Sequence, residues 1–182
     1  MELKKQDLRG TPLKERDFRS GKVITVDWEP DLSYSWDNGV GIGYYFENLK
    51  KGRITGSYCE RCNITTVPPR AFCERCFKPT EDFVELKDTG TINTFSVSHV
   101  DWAAGRLKEG ERPHTPAVIE IDGASPGHAI MHLIGEIEPY DIKIGMRVKA
   151  VWKPAEEREG SVTDILYFKP VRKPKTKSTK KK

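Results

Sequence analysis

All four cysteines of this chain fall within the single stretch CERCNITTVPPRAFCERC, as two C-x-x-C pairs, Cys59/Cys62 and Cys73/Cys76. Each pair turns two thiolates inward from one tight knuckle, and two facing knuckles form the tetrahedral sulfur cage that zinc prefers. Pro68 and Pro69 stiffen the excursion between the pairs. Two disulfides, in any of three pairings, are the competing reading. The chain opens MELKKQDLRG, charged from the start and without the apolar region of a secretory signal. A reducing, cytoplasmic compartment is therefore expected, and it favours metal over disulfide. Iron is the main rival to zinc. A thioredoxin-like redox pair would need one C-x-x-C near a βαβ pattern rather than two facing each other. Four sulfur ligands leave no open coordination position, so the metal's role is structural.

The chain has 182 residues, enough for one proper core and a small satellite. No apolar run approaches the roughly 18 to 20 residues of a membrane span. The formal net charge is +4, but residues 172–182, RKPKTKSTKKK, carry seven positive charges and no acid, so the remainder stands at −3. That tail is low in complexity and reads as disordered and solubilising, with a contact to nucleic acid or an anionic surface as the alternative. Residues 1–32 show scattered apolar positions and no core of their own, which predicts an arm lying across a partner or across its own domain.

Residues 33–56 are read as a helical segment, SYSWDNGVGIGYYFENLKK, helical in its second half. Trp36, Val40 and Tyr44 are expected on one face, Ile42, Phe46 and Leu49 on the next, with Gly52 as the stop. Gly39, Gly41 and Gly43 lack the preceding strand and following Lys-Ser/Thr of a phosphate loop, so close helix packing is the better reading. The zinc ribbon is assigned to residues 57–82 and a β-barrel to residues 83–170. Beyond the cysteines, TGTINTFSVSHVDW, TPAVIEIDG, HAIMHLIGEI, MRVKAVWKP and VTDILYFKP are short runs rich in β-branched and aromatic residues, punctuated by Gly, Pro and Asp. Five such strands fit an OB-fold barrel, and an open sandwich nearly as well. The fold class is thus mainly β: a helix, a rubredoxin-like four-cysteine zinc ribbon, then a five-stranded OB-fold barrel.

LKKGRITGSYCERC, PPRAFCERC, ELKDTGTINTFSVSHV, TPAVIEIDG and IKIGMRVKAVW follow one another in an order that resembles a known family. It is that of the zinc-ribbon plus OB-fold proteins of acyl-CoA metabolism, long catalogued as a domain of unknown function. The resemblance runs from about Trp36 to Pro170 and leaves out the arm and the tail. It implies a non-catalytic accessory subunit of a heteromeric complex with a thiolase-fold enzyme: a thiolase, a 3-hydroxy-3-methylglutaryl-CoA synthase, or an aldolase that shortens steroid side chains. The partner would carry the catalytic cysteine and histidine, and this chain would help shape the coenzyme A entrance.

The residues agree with that implication. If the cysteines hold metal, none is left as a nucleophile. The four histidines, His99, His114, His128 and His132, belong to no catalytic motif, and His99 and His132 read as hydrogen-bonded barrel residues. No catalytic residue is assigned, and turnover by the chain alone is not expected. A CoA thioester offers phosphates and an adenine ring, so a contacting surface should pair cations with an aromatic. Arg70, Phe72, Arg75 and Lys78 supply this in and just after the ribbon, with Arg61 in the first knuckle; a solvated ribbon surface is the plainer reading. Single-stranded nucleic acid is the alternative partner, since ribbons and OB barrels both bind it. The net-acidic body argues against it.

Overall fold

The computed structural model describes residues 13–26, 33–80, 82–100 and 105–171. The lysine-rich tail from residue 172 and much of the expected arm lie outside them. The chain divides into two units, residues 1–36 and 37–182.

In the first unit the short helix α1 (Glu15–Arg19) is held by Asp17, whose carboxylate accepts from the Lys14 amide at 2.9 Å and pairs with the Lys22 ammonium at 3.5 Å. Asp17 is the one buried residue among those described in this unit, so its apolar side chains form no core.

The second unit begins with α2 (Gly39–Lys50). The Gly39 amide donates to Asp37 Oδ1 at the N-terminus, and Gly52, at φ +75°, returns its amide to the Leu49 carbonyl at the C-terminus. The helix buries Gly41, Tyr45, Asn48 and Leu49. Of the two faces read from the sequence, the one with Leu49 is the one turned inward: Trp36 precedes the helix, and Trp36, Val40 and Tyr44 are all exposed. Local geometry selects the other face. A Cβ on Gly41 would stand 3.3 Å from the Pro69 carbonyl oxygen, so glycine there allows the helix to press on the ribbon, whereas a Cβ on Gly39 or Gly43 would meet nothing within 4 Å. Asn48 is buried because its amide donates to the Tyr44 carbonyl and its own carbonyl accepts from Lys51 and Arg53.

Three strands make the ribbon sheet: β1 (Ile54–Cys59), β2 (Ile64–Thr66) and β3 (Asp82–Leu86), ordered β2-β1-β3 and antiparallel, with Cys59 opposite Ile64 and Ile54 opposite Leu86. Five more strands form the second sheet: β4 (Thr89–Phe95), β5 (Pro116–Ile121), β6 (Ala129–Leu133), β7 (Arg147–Trp152) and β8 (Ile165–Pro170), in the order β6-β5-β4-β7-β8. Alternation along β5 sends Ala117, Ile119 and Ile121 inward, the period-2 signature of a sheet buried on one face. The two outer strands meet where the Gly135 amide donates to the Phe168 carbonyl at 2.8 Å. The sheet thereby rolls into an OB-type Greek-key barrel rather than an open sandwich. Glycine is required at Gly135, where Tyr167 packs so close that a Cβ would fall 2.4 Å from its ring.

Phe168, Ile92, Ile119 and Val148 are fully enclosed in the barrel, and Leu49 of the helix with Ile54 and Val67 of the ribbon join the same cluster. Each such side chain contributes about 1.5–3 kcal/mol on burial. Among the described residues no helix is long and apolar enough to cross a membrane.

Candidate metal centre

The two knuckles close on each other. The sulfurs of Cys59, Cys62, Cys73 and Cys76 all lie within 4.8 Å of one another, Cys59 and Cys73 buried and the other two half-buried. Among the described residues this is the one cluster of three or more metal-ligating side chains. Cys59 Sγ and Cys76 Sγ are 3.7 Å apart, and all four cysteines are free. A disulfide would require about 2.05 Å. A tetrahedron with zinc–sulfur bonds of about 2.3 Å has edges of about 3.8 Å, so the donor set fits a four-thiolate zinc site. With every position taken by sulfur, a bound zinc would supply cross-linking and no open site for chemistry.

Backbone geometry prepares the cage. Each knuckle ends on a residue in the left-handed region, Asn63 at φ +52° and Phe77 at φ +54°. The turn redirects the chain after the second cysteine of each pair. Amides of Cys76 and Arg75 point at the Cys73 sulfur and, against the effect of burial, hold its pKa at about 6. Contact with the Cys76 sulfur, then burial, push Cys62 up to about 12. Four crowded sulfurs cannot all ionise without a cation among them.

The basic residues expected to meet CoA separate into two groups. Arg70 is a fastening point: its guanidinium donates to Glu74 Oε2 at 2.7 Å, its amide donates to Ser57 Oγ at 3.0 Å, and its carbonyl accepts from the Thr80 hydroxyl. Glu74 also meets His128 Nε2 at 3.5 Å, tying the second knuckle to the turn before β6. Phe72, Arg75 and Lys78 are exposed on a small hairpin closed by the Phe72–Pro79 bridge and by the Cys73 amide on the Lys78 carbonyl at 2.9 Å. Arg61 is exposed on the first knuckle. Sequence reasoning missed Phe77, 77% exposed on the same hairpin. Its signal was the match of the two CERC knuckles, which places Phe77 where the first has Asn63, a residue that tolerates a left-handed backbone.

The histidines are dispersed. His99 is in an exposed loop beyond β4, not in a strand, with Nε2 2.9 Å from the Tyr140 hydroxyl. His114 pairs through its backbone with Ser98. His132, in β6, accepts the Leu133 amide at Nδ1 (2.9 Å) and lies with Nε2 3.3 Å from the Val162 carbonyl; burial lowers its pKa.

Residues 46–81 match the rubredoxin-like zinc ribbon domain of ChsH2, and residues 83–153 match the ChsH2 C-terminal OB-fold domain. A DUF35 domain-containing scaffold protein of Methanocaldococcus jannaschii is 32% identical over 121 residues, 65% of this chain and 82% of that protein. The chain belongs to the ChsH2/DUF35 family. A second relative, a probable enoyl-CoA hydratase alpha subunit of Thermomonospora curvata, is 28% identical over 113 residues, 62% of this chain but only 33% of that longer protein. The solved Ltp2-ChsH2(DUF35) aldolase contains a chain of the same fold, with a TM-score of 0.53 and 24% identity over 78% of this chain and 98% of that one.

Proposed function

We propose that this chain is a non-catalytic scaffold subunit that assembles with an acyl-CoA enzyme. The observation that carries the reading is the 32% identity to a scaffold protein over 121 residues, 82% of that protein. The names of two other relatives, an enoyl-CoA hydratase subunit and an aldolase that contains ChsH2, point the same way. A cage with four sulfur ligands suits scaffolding, because it fixes a hairpin without performing a reaction.

The finer reading is a partner of thiolase fold. Benzylsuccinyl-CoA thiolase comes first among the candidates, because its small subunit similarly carries added sequence ahead of the helix. On this reading the exposed hairpin, with Arg75, Lys78 and Phe72, lies at the CoA entrance, its cations toward phosphate and its ring toward adenine. Arg70 supports the hairpin more than the ligand, since Glu74 already offsets its charge.

Affinity purification from the native host at moderate salt tests the assembly, and a thiolase-fold protein is the expected companion. Recovery of a hydratase would keep the scaffold reading and remove the thiolase. Recovery of nucleic acid alone, with a steep salt dependence of binding, would contradict both. Within the complex, Arg75→Ala should weaken CoA binding about tenfold, the loss of one charge-assisted contact. Unchanged affinity would remove the hairpin from the CoA site.

A further inference from the structure

The barrel carries an apolar furrow that the ribbon and its cage do not use. It lies between β6 and β8, encloses about 550 Å³, and is walled by Met131, Leu133, Val162 and Leu166 over a floor of Ile165 and His132. Met131 is 75% exposed and Val162 54%, so the walls project into solvent. At one end the furrow shares Met131 and Ile165 with a smaller hollow against Tyr45 and Pro68. At the other it shares Leu133 and Leu166 with a hollow beneath Arg112. The strand β6, Ala129–Leu133, extends over roughly 15 Å, the length of a five-residue strand.

Two features specify what fits there. The first is an open strand edge. The Ile134 amide turns to Thr115 on the β5 side, so by antiparallel alternation the Met131 and Leu133 amides turn toward the furrow. The Leu133 amide is met by the ring of its neighbour His132, and beyond it Ile134 bridges Phe168 in parallel and the Gly135 amide donates to the Phe168 carbonyl, so the edge that stays open is the one at Met131. The second feature is charge. Lys153 and Arg112 stand at the two ends, neither in a salt bridge among the described residues; the Lys153 charge acts on the buried Asp164 behind the wall, but no Asp or Glu lines any of the three hollows. Outside its tail the chain is net negative, so an acid-free, cation-ended apolar strip is a local choice. A second copy docked on this face would bring like charges together. A partner with carboxylates would not.

We infer that the furrow receives an extended segment of the partner enzyme, with apolar side chains toward Met131 and Leu166 and an acidic residue at Lys153, added as a strand along β6. This inference rests on the scaffold-subunit reading. Its test uses the full chain and the acyl-CoA enzyme that co-purifies with it. Amide hydrogen exchange of the chain, free and in the complex, should show slowing of at least about tenfold at Met131 and its neighbours. Met131→Asp should weaken assembly about 30-fold or more with an unchanged melting temperature, as for a buried interface anchor. Lys153→Glu should slow association and flatten its salt dependence. A complex that forms while β6 exchanges as in the free chain, or that tolerates Met131→Asp, overturns the furrow and leaves the scaffold reading standing. Failure of the unaltered chain to bind any acyl-CoA enzyme overturns both.

Discussion

The ribbon and the barrel solve the same problem by different means. The barrel encloses Ile92, Ile119, Val148 and Phe168 between its own strands, and burial alone accounts for it. In β1 and β2 and the turn that follows, Ile54, Ile64 and Val67 are the buried aliphatic side chains, and Ile54 and Val67 look toward the barrel's cluster. What remains to hold the two knuckles is the four-sulfur cage. A short loop-rich segment with so little apolar content needs a cross-link, and in this chain the sulfurs are spaced for a metal rather than for each other. The difference predicts that the two regions fail under different insults.

The largest effect should follow metal removal. Structural zinc in small domains contributes about 10 kcal/mol or more of folding free energy, so chelation or Cys73→Ser should release β1, β2 and the second knuckle. Amide exchange would check this: the ribbon amides should lose protection while Ile92, Ile119 and Val148 keep theirs. Simultaneous collapse of both regions would mean the shared cluster at Leu49 and Ile54 couples them more tightly than the cage does.

Phe168→Ala attacks the other side of the comparison. Loss of this enclosed ring should cost about 3–5 kcal/mol in denaturant unfolding. Metal content at low denaturant should not change, and a variant that also loses its metal would erase the distinction.

Acid sharpens it further. The Arg147 guanidinium bonds Asp122 through both carboxylate oxygens and, with the Thr89 hydroxyl and against burial, holds the Asp122 pKa at about 2, below its ordinary 3.8. Asp164 is also held low: burial would raise it, but the amides of Glu159, Gly160 and Ser161 donate to its carboxylate and outweigh that. Both pKa values are lower folded than unfolded, so their stabilisation is present above the ordinary carboxylate range and is lost as pH falls through the folded values. For Asp122 the window runs from about pH 4 down to about pH 2. Barrel stability measured across that window should decline, and Arg147→Ala should flatten the decline.

The smallest effect is expected at Phe77. A bulky exposed residue at φ +54° carries a left-handed penalty of about 1–2 kcal/mol, so Phe77→Gly should stabilise the ribbon by up to about 1 kcal/mol after glycine's own entropy cost. A loss of stability would show that the ring packs in a way its exposure does not suggest.

Much of this was legible in the chain itself. Paired cysteines specify knuckles, and alternating β-branched residues specify strands, because both signals are local. The buried face of α2 was not, since the helix is apolar most of the way round and its orientation is decided by contacts: Gly41 against Pro69, and Asn48 bonded to backbone at both ends. Phe77 was hidden because phenylalanine does not announce a left-handed turn. The furrow had a faint signal. In AIMHL and ILYF apolar residues occupy both parities of the strand, more than one buried face requires, and the surplus side chains Met131, Leu133 and Leu166 are the ones left exposed. Of the basic group, sequence placed Arg70 with Arg75 and Lys78, but only tertiary geometry shows that Glu74 claims Arg70.

X-ray absorption at the metal edge of the purified chain tests the account most directly. One zinc per chain with four sulfur neighbours at about 2.3 Å is the predicted result. A metal-free chain with an ordered ribbon, or sulfurs joined as disulfides, would contradict it.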